Sequence, residues 1–259
     1  MRTKVRRLSR GPTDLRTKEG FFRRATGWLA TFLVACGAVV AGARAEEPPR
    51  FNLQSTSDFA SYGAFYGDFT ATYSPFGNLW DRGWRLQGVV SARRFSSTDG
   101  GQKRVGLDAT LDMLGGYQFT PHGWSWIFSA GPTFVNSHLY SAAGLPQSNT
   151  FSYGLKFLTS LYGKPSSNTM IYVQAHYNTA SDFYYLQGKT GVAIAPNLFV
   201  GPEVAFSGSW IHGYDQTRLG GHLTGFTLAG FNTGVSAGYV QDSGYGKGFY
   251  AGVNVQNSF

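Results

Sequence analysis

The last fifteen residues of the chain, 245–259, alternate almost without a break between apolar side chains and small or polar ones. On an extended strand one face carries Tyr245, Phe249, Ala251, Val253, Val255 and Phe259, and the other carries mainly glycine and polar residues. Such a strand, ending on an aromatic residue, is typical of the strand that closes an outer-membrane β-barrel, where the apolar face meets lipid and the polar face meets a wet lumen. A half-exposed strand of a soluble sandwich has the same period. The rest of the chain therefore has to decide between the two.

The first 45 residues have the layout of a secretory signal peptide. Residues 1–24 are crowded with Arg and Lys, residues 25–43 form an apolar run, and Ala-Arg-Ala at 43–45 supplies a cleavage site. We expect cleavage after Ala45, which leaves residues 46–259 as one barrel domain. The alternative is a lipoprotein site at 33–36, in which Cys36 becomes the acylated first residue. No other segment offers about 18 uninterrupted apolar residues, so membrane insertion must use strands.

The formal net charge of +8 belongs to this amino-terminal segment. Ten of the 22 basic residues and two of the 14 acidic residues precede Glu46, which leaves 12 of each in the mature chain. A mature chain without net charge has no electrostatic footprint for a polyanion, so we expect no nucleic-acid partner. Because Cys36 is the only cysteine, the mature chain has neither a disulfide nor thiol chemistry. Aromatic content of 16% with 35 glycines is typical of a barrel embedded in outer-membrane lipid.

Runs of period 2 recur along the mature chain, separated by turn-forming clusters. Eleven runs are readable, at 61–73, 84–95, 104–119, 124–140, 151–162, 169–179, 183–195, 198–211, 219–230, 233–242 and 247–259. The phase of the run at 219–230 slips near Gly225, which indicates a β-bulge. Bacterial single-chain barrels have even strand numbers and both termini in the periplasm, and residues 50–55 can supply a twelfth strand. We predict an all-β, transmembrane, antiparallel up-and-down β-barrel of twelve strands, with ten as the alternative.

If the apolar phase faces lipid, the opposite phase identifies the side chains that point into the lumen. The predicted lumen-facing polar residues are Arg85, Arg93, Arg104, Asp108, Asp112, Lys156, His176, Lys189 and Glu203. The inward tyrosines that are candidates for stacking on sugar rings are Tyr162, Tyr172, Tyr185 and Tyr250. An outer loop at 96–103 would place Arg93 diagonal to both Arg104 and Asp108, and a turn at 195–197 would place Lys189 opposite Glu203. Two interpretations stay open: these side chains fill and neutralise a narrow barrel, or they line a polar path for a hydrophilic solute.

Signals for catalysis and cofactors are weak. The five histidines, at 122, 138, 176, 212 and 222, lack the spacing of a metal site, and no Ser or Cys lies in a nucleophile elbow. We therefore predict no catalytic residue, no metal and no cofactor. His176 with Ser181 and Asp182, or His212 with Asp215, would suit a hydrolase at the barrel rim that acts on outer-membrane lipid or protein. That enzyme remains a distant alternative.

Several short motifs resemble the BcsS family of cellulose biosynthesis proteins. They are Tyr-Gly-Ala at 62–64, Gly-Trp-Arg-Leu at 83–86, Gly-Gly-Tyr-Gln-Phe at 115–119 and the hairpin that runs from 176–177 to 191–192. The resemblance spans most of residues 60–259 and implies an outer-membrane component tied to cellulose production, with no established catalytic residues. Its implied partners are the polysaccharide and cellulose-secretion proteins. Because cellulose is neutral, aromatic stacking and hydrogen bonds to hydroxyls would have to bind it.

Two functional hypotheses follow from the sequence. The first is a non-enzymatic outer-membrane barrel that assists the biosynthesis or secretion of cellulose or another exopolysaccharide. The second is a narrow porin for charged oligosaccharides or other small solutes, to which the inward arginines would be relevant.

Overall fold

A computed structural model describes residues 48–99, 102–141, 143–211 and 213–259. Its strands are β1 (Phe51–Ala60), β2 (Phe65–Tyr73), β3 (Gly83–Asp99), β4 (Gln102–Phe119), β5 (Trp124–Ser141), β6 (Pro146–Ser166), β7 (Thr169–Asn178), β8 (Phe183–Ala195), β9 (Leu198–Ser209), β10 (Tyr214–Leu228), β11 (Phe231–Asp242) and β12 (Gly246–Ser258). The predicted signal peptide at 1–45, with Cys36, lies outside the described residues, and so does His212.

Each strand pairs antiparallel with its two neighbours, and β1 pairs with β12, so the sheet closes into an up-and-down barrel. The prediction of twelve strands is confirmed, and the alternative of ten is wrong. The two ends of the barrel domain meet at this seam: the backbone N–H groups of Arg50 and Phe51 donate to the carbonyl oxygen of Phe259 at 3.0 and 2.8 Å. The rings of Phe51 and Phe259 also stack, with centroids 5.9 Å apart. Closure satisfies the strand backbone internally, as a spanning structure in lipid requires.

Both ends of the barrel domain lie at one end of the barrel, which in single-chain barrels is the periplasmic end. The connections that follow β1, β3, β5, β7, β9 and β11 therefore lie at the extracellular end. β1 and β10 extend beyond the predicted runs, because β1 pairs with β12 as far as Ala60 and β10 pairs with β9 from Tyr214 onward. Near the strand ends the outward face need not be apolar, so the period-2 signal fades there while the backbone ladder continues.

The bulge predicted near Gly225 is confirmed. The register of β10 against β11 shifts between Thr224 and Phe226, which leaves Gly225 as the extra residue. Gly225 has φ of 97°, and a Cβ at this position would overlap the carbonyl oxygen of Asn197 in a neighbouring periplasmic turn. Both the backbone angle and the close approach therefore require glycine.

The outward face of the barrel carries a belt of exposed apolar side chains, among them Val90, Leu111, Val192, Leu219 and Val253. Two groups of touching aromatic rings border the belt. Near the periplasmic end these are Trp84, Tyr117, Phe119, Trp126 and Phe128, and near the extracellular end they are Tyr177, Tyr184 and Trp210. An apolar belt between aromatic borders on a closed barrel is the surface with which outer-membrane proteins meet lipid. The protein is an outer-membrane β-barrel.

Among the described residues, no helix combines the length and the apolar character needed to cross a membrane.

At the extracellular end, strands β3 to β6 extend beyond the strands on either side of them, β2 and β7. Pairing of β2 with β3 stops at Phe65 and Arg94, whereas β3 continues to Asp99. Pairing of β6 with β7 starts at Lys156 and Asn178, whereas β6 begins ten residues earlier, at Pro146. We call the paired outer part of β5 and β6, within residues 134–155, the β5–β6 extension.

Candidate functional site

The lumen contains a cavity of about 630 Å³. Of the side chains that the sequence predicts to face inward, those that line the cavity are Arg93, Lys156, Tyr162, Tyr172, His176, Tyr185 and Lys189. The carboxylates of Asp108, Asp112 and Glu203 are buried in the wall beside it. The cavity is therefore lined by alternate residues of several strands, as in any barrel whose strands have one face towards water.

Arg85 points inward but is occupied in holding the periplasmic connection between β2 and β3. Its side chain is completely buried. Its Nη2 donates to the carbonyl oxygens of Asn78 and Asp81 at 3.1 and 2.5 Å, its Nη1 donates to Ser74 Oγ at 3.0 Å and to the carbonyl oxygen of Trp84 at 2.8 Å, and its Nε donates to Gln118 Oε1 at 3.0 Å. A guanidinium with all these acceptors stabilises the turn rather than presenting a free charge to the lumen.

Arg93 forms an ion pair with Asp108, with Nη2 and Oδ2 2.5 Å apart. The two residues are directly opposite in the ladder, whereas Arg104 lies opposite Ser97. The predicted diagonal arrangement of Arg93 with Arg104 is therefore wrong, because β3 and β4 continue as strands through most of the stretch that was expected to be a loop. Ser137 Oγ donates to the other oxygen of Asp108 at 2.7 Å. The Arg93 guanidinium also lies 4.1 Å from the ring centroid of Phe183, a cation–π distance.

Lys156 and Asp112 form the most deeply buried ion pair among the residues that the structure describes. Lys156 Nζ lies 2.5 Å from Asp112 Oδ2, and the two side chains are 6% and 0% exposed. Thr133 Oγ1 donates to Asp112 Oδ1 at 2.6 Å, and Asn178 Nδ2 donates to Thr133 Oγ1 at 3.0 Å. This chain of contacts joins β4, β5, β6 and β7, so the charges also hold the wall together.

The short turn at the end of β8 places Lys189 opposite Glu203, and the two side chains are paired in the structure with Nζ and Oε2 2.8 Å apart. Tyr250 Oη donates to Glu203 Oε1 at 3.2 Å. Tyr250 is buried, with only 3% of its surface exposed. Its hydroxyl therefore supports the ion pair, and its ring is less available to a solute than those of the tyrosines on the cavity wall.

A fourth ion pair, Arg218 with Asp58, escaped the sequence analysis. Arg218 Nη1 lies 2.8 Å from Asp58 Oδ2, and Arg218 Nε donates to Gln216 Oε1 at 2.7 Å. Both residues lie in the strand ends that the sequence left outside the predicted runs, Asp58 after 50–55 and Arg218 before 219–230. Continuing the first strand by three residues past 55, and starting the run at 219 one residue earlier, would have found them.

The cavity wall also presents uncharged hydrogen-bonding groups around its tyrosines. The amide side chains of Gln54, Gln174 and Gln187 line it, together with the phenol of Tyr66. The carboxyl group of Asp68 also lines the cavity, and neither Tyr66 nor Asp68 was among the predicted residues. Tyr172 Oη donates to Gln174 Oε1 at 2.6 Å, and the His176 ring stacks on Tyr185 with centroids 5.3 Å apart. Aromatic rings beside amide and hydroxyl groups suit a neutral, hydroxylated solute.

A polar network joins side chains at the extracellular end of the barrel. Asp242 Oδ2 accepts hydrogen bonds from Tyr62 Oη at 3.2 Å, from Tyr214 Oη at 2.9 Å and from Gln216 Nε2 at 2.9 Å. Tyr62 stacks on Tyr245 with ring centroids 4.6 Å apart. Burial, with the nearby Asp242 carboxylate, raises the pKa of the Tyr62 phenol. Tyr62 therefore stays a neutral hydrogen-bond donor, and the network joins the β1–β2 connection to β10 and β11.

The rim residues suggested for a hydrolase have other partners. Asp182 accepts hydrogen bonds from Tyr177 Oη at 2.8 Å, from Ser209 Oγ at 3.2 Å and from the backbone N–H of Ile211 at 2.6 Å. These contacts fasten the β7–β8 connection to β9, while His176 stacks on Tyr185 in the lumen. Within the part of the chain that the structure describes, no group of three or more His, Cys, Asp or Glu side chains is arranged to hold a metal ion.

Comparison with solved structures gives other barrels at low identity. The chain is similar to the KdgM porin (10% identity, TM-score 0.43, covering 80% of this chain and 99% of that one) and to the outer membrane protein Omp33 of Acinetobacter baumannii (16%, 0.40, 82% and 98%). It is also similar to the β domain of the Bordetella autotransporter BrkA (14%, 0.45, 83% and 100%).

Comparison with curated proteins gives no significant match. Residues 54–259 match the family model described as "Cellulose biosynthesis protein BcsS". The match begins three residues into β1 and runs to the carboxyl terminus, so it covers nearly the whole barrel.

Proposed function

The chain belongs to the BcsS family of cellulose biosynthesis proteins, and we propose that it is a non-enzymatic accessory barrel that assists cellulose secretion or anchoring at the outer membrane. The family and the fold make it an outer-membrane barrel related to cellulose biosynthesis. The partners in this accessory role are the polysaccharide and the proteins of the secretion machinery.

The observation that carries the proposal is the pairing of charges in the lumen wall. Among the described residues, four cations form ion pairs with four carboxylates: Arg93 with Asp108 and Lys189 with Glu203 on adjacent strands, and Lys156 with Asp112 and Arg218 with Asp58 on strands that are not adjacent. Paired charges exert little net field on a passing solute. The other charged side chains of the cavity wall are Asp68, Arg94 and Lys164, and between them the wall presents aromatic and amide groups. These groups support an interaction with neutral sugars through Tyr162, Tyr172 and Tyr185.

A narrow porin is the second candidate, and the cavity itself favours it. The cavity is lined at the periplasmic end by Asn197 and Asn232 and towards the extracellular end by Tyr214 and Gln216. A water-filled path of this extent would conduct ions in planar bilayers. If it is a porin for charged solutes, replacing Arg93 by Gln should reduce anion preference, because fixed charge in a narrow pore sets the local counter-ion concentration.

Deletion of the gene in a cellulose-producing host tests the proposed role. The expected result is less cellulose at the cell surface with unchanged synthase activity in isolated inner membranes, restored by the wild-type chain. Normal surface cellulose in the deletion strain, with a purified barrel that conducts, would favour the porin instead. Loss of synthase activity in the isolated inner membranes would contradict an accessory role at the outer membrane.

A further inference from the structure

The middle of the chain contains a long stretch without formal charge. From Met113 to Leu155 there is no Asp, Glu, Lys or Arg, and the stretch is bounded by the ion-paired Asp112 and Lys156. Its first part lies on the β4–β5 hairpin, where lipid contact explains the absence of charge. Its last part is the β5–β6 extension, which lipid contact does not explain.

The β5–β6 extension stands beyond the aromatic border of the membrane. Tyr177, in that extracellular border, pairs in the ladder with Phe157 of β6. From Lys156, the next residue, β6 continues back to Pro146. At about 3.3 Å per residue these ten residues add roughly 30 Å along the strand. Residues 146–151 are exposed without interruption, on both faces of the strand. This segment therefore lies in water outside the lipid.

The outer face of the extension combines exposed aromatic rings with neutral polar groups. Phe151 and Tyr153 are 68% and 79% exposed, and the ring of Phe134 lies 6.4 Å from that of Phe151 at an interplanar angle of 24°. The ladder places Asn136 opposite Phe151 and His138 opposite Asn149. Amide and imidazole groups among the rings argue against a lipid-facing surface, since lipid offers them no hydrogen-bond partner.

One edge of the extension is also open. On the side of β6 that faces β7, the outermost backbone hydrogen bond among the described residues is at Leu155. Its carbonyl oxygen accepts from the Thr179 N–H at 2.9 Å. Among the described residues, positions 146–154 have no strand partner on that side. Exposed strand edges are usually protected against pairing with other chains by charged side chains, proline or β-bulges. Here the edge begins with Pro146, and the residues after it are Ser, Thr, Asn, Gln, Gly and aromatic residues, which together present hydroxyl, amide and backbone groups.

We propose that the β5–β6 extension binds a neutral polysaccharide chain of the glucan class outside the cell, with Phe151 and Tyr153 as the stacking platform. The faces of pyranose rings are apolar and stack on aromatic rings, while Asn136, His138 and Asn149 bond the hydroxyls at the ring edges. The absence of charge over 113–155 complements a neutral polymer and gives no attraction for an acidic one. The inference rests on the proposed function and names the ligand surface of that accessory barrel.

Sedimentation of the purified full-length barrel with insoluble cellulose tests this site. The probes are microcrystalline cellulose and, as the charged comparison, an insoluble calcium alginate gel. We expect the wild-type chain to sediment with cellulose and not with alginate, and the Phe151→Ser/Tyr153→Ser double variant to bind at least fivefold less. Phe76→Ser is the matched control, because Phe76 is 74% exposed but lies at the periplasmic end. Heat-dependent gel migration establishes that each variant is folded.

Several results would overturn the proposal. Three concern binding: the wild-type chain binds alginate as strongly as cellulose, it does not bind cellulose, or the Phe76→Ser control loses as much cellulose binding as the double variant. The fourth is a wild-type dimer that the double variant abolishes, because that result assigns the open edge to a second copy of the chain. Failure of the proposed function gives a different pattern. If the proposed function is wrong but the binding site is right, the deletion strain keeps its surface cellulose while the purified barrel still binds cellulose through Phe151 and Tyr153.

Discussion

Lys156 and Asp112 show how this barrel accommodates charge inside a wall that faces lipid on its other side. Removing one partner leaves the other buried without compensation, whereas removing both leaves a neutral site. We expect Lys156→Met to lower the free energy of unfolding by about 3–5 kcal/mol. The Lys156→Met/Asp112→Asn double variant should recover most of that loss, because Asn retains an oxygen that accepts from Thr133. Urea unfolding of the refolded barrel in lipid vesicles measures both, and a double variant as unstable as the single one would contradict this account.

Residue-scale prediction from the sequence worked where the strand phase was clear. The pairing of Lys189 with Glu203 was predicted from the short turn around Pro196, and the register holds from Phe183 to Ala193 and shifts only between Ala193 and Ala195, next to the turn. Arg85 was placed on the inward face, but its role in the turn depends on carbonyl oxygens of residues 78, 81 and 84, whose positions no periodicity encodes. Arg218 and Asp58 were missed because the outward residues near strand ends no longer mark the phase.

At the scale of the strand, the alternation of lipid-facing and lumen-facing residues can be tested by a matched pair of substitutions. Leu111 is exposed on the outward face of β4, whereas Thr70 of β2 lines the lumen cavity. We expect Leu111→Arg to destabilise the barrel by about 2–4 kcal/mol, because an outward charge near the bilayer midplane loses its hydration. Thr70→Arg should cost far less, because its guanidinium stays in the wet lumen. Equal costs in vesicle unfolding experiments would show that the assigned phase is wrong.

The bulge in β10 gives a second element-scale prediction. Gly225 and Gly230 have similar positive φ angles, 97° and 85°, but only Gly225 lies against the backbone of another turn. Gly230→Ala should therefore cost about 1 kcal/mol, from the backbone angle alone. Gly225→Ala should cost roughly 3 kcal/mol, since its methyl group also displaces the Asn197 carbonyl. Urea unfolding in vesicles compares the two, and similar values would mean that the bulge does not need the close approach.

Most of the strand layout was predictable because two solvents, lipid and lumen water, impose period 2 on every spanning strand. The β5–β6 extension was only partly predicted: the sequence run starts at 151, whereas β6 starts at Pro146. Residues 146–150 are exposed on both faces, so no difference between the two faces remains in their sequence. Their strand structure comes from pairing with β5 alone.

At the scale of the molecule, the central claim is a twelve-strand barrel in the outer membrane. The connections that follow its odd-numbered strands lie outside the cell, and both ends of the barrel domain lie in the periplasm. Gly144 and Gly230 occupy connections at opposite ends, and a Cβ at either position meets no atom within 4 Å. Both accept a cysteine sterically, and the wild-type chain, with Cys36 alone, is the labelling control.

Labelling of intact cells with a membrane-impermeant maleimide tests that claim directly. Gly144→Cys should label on intact cells, and Gly230→Cys should label only after the outer membrane is permeabilised. Labelling of both positions on intact cells, or of neither before permeabilisation, would contradict the barrel topology, and with it the placement of the β5–β6 extension outside the cell.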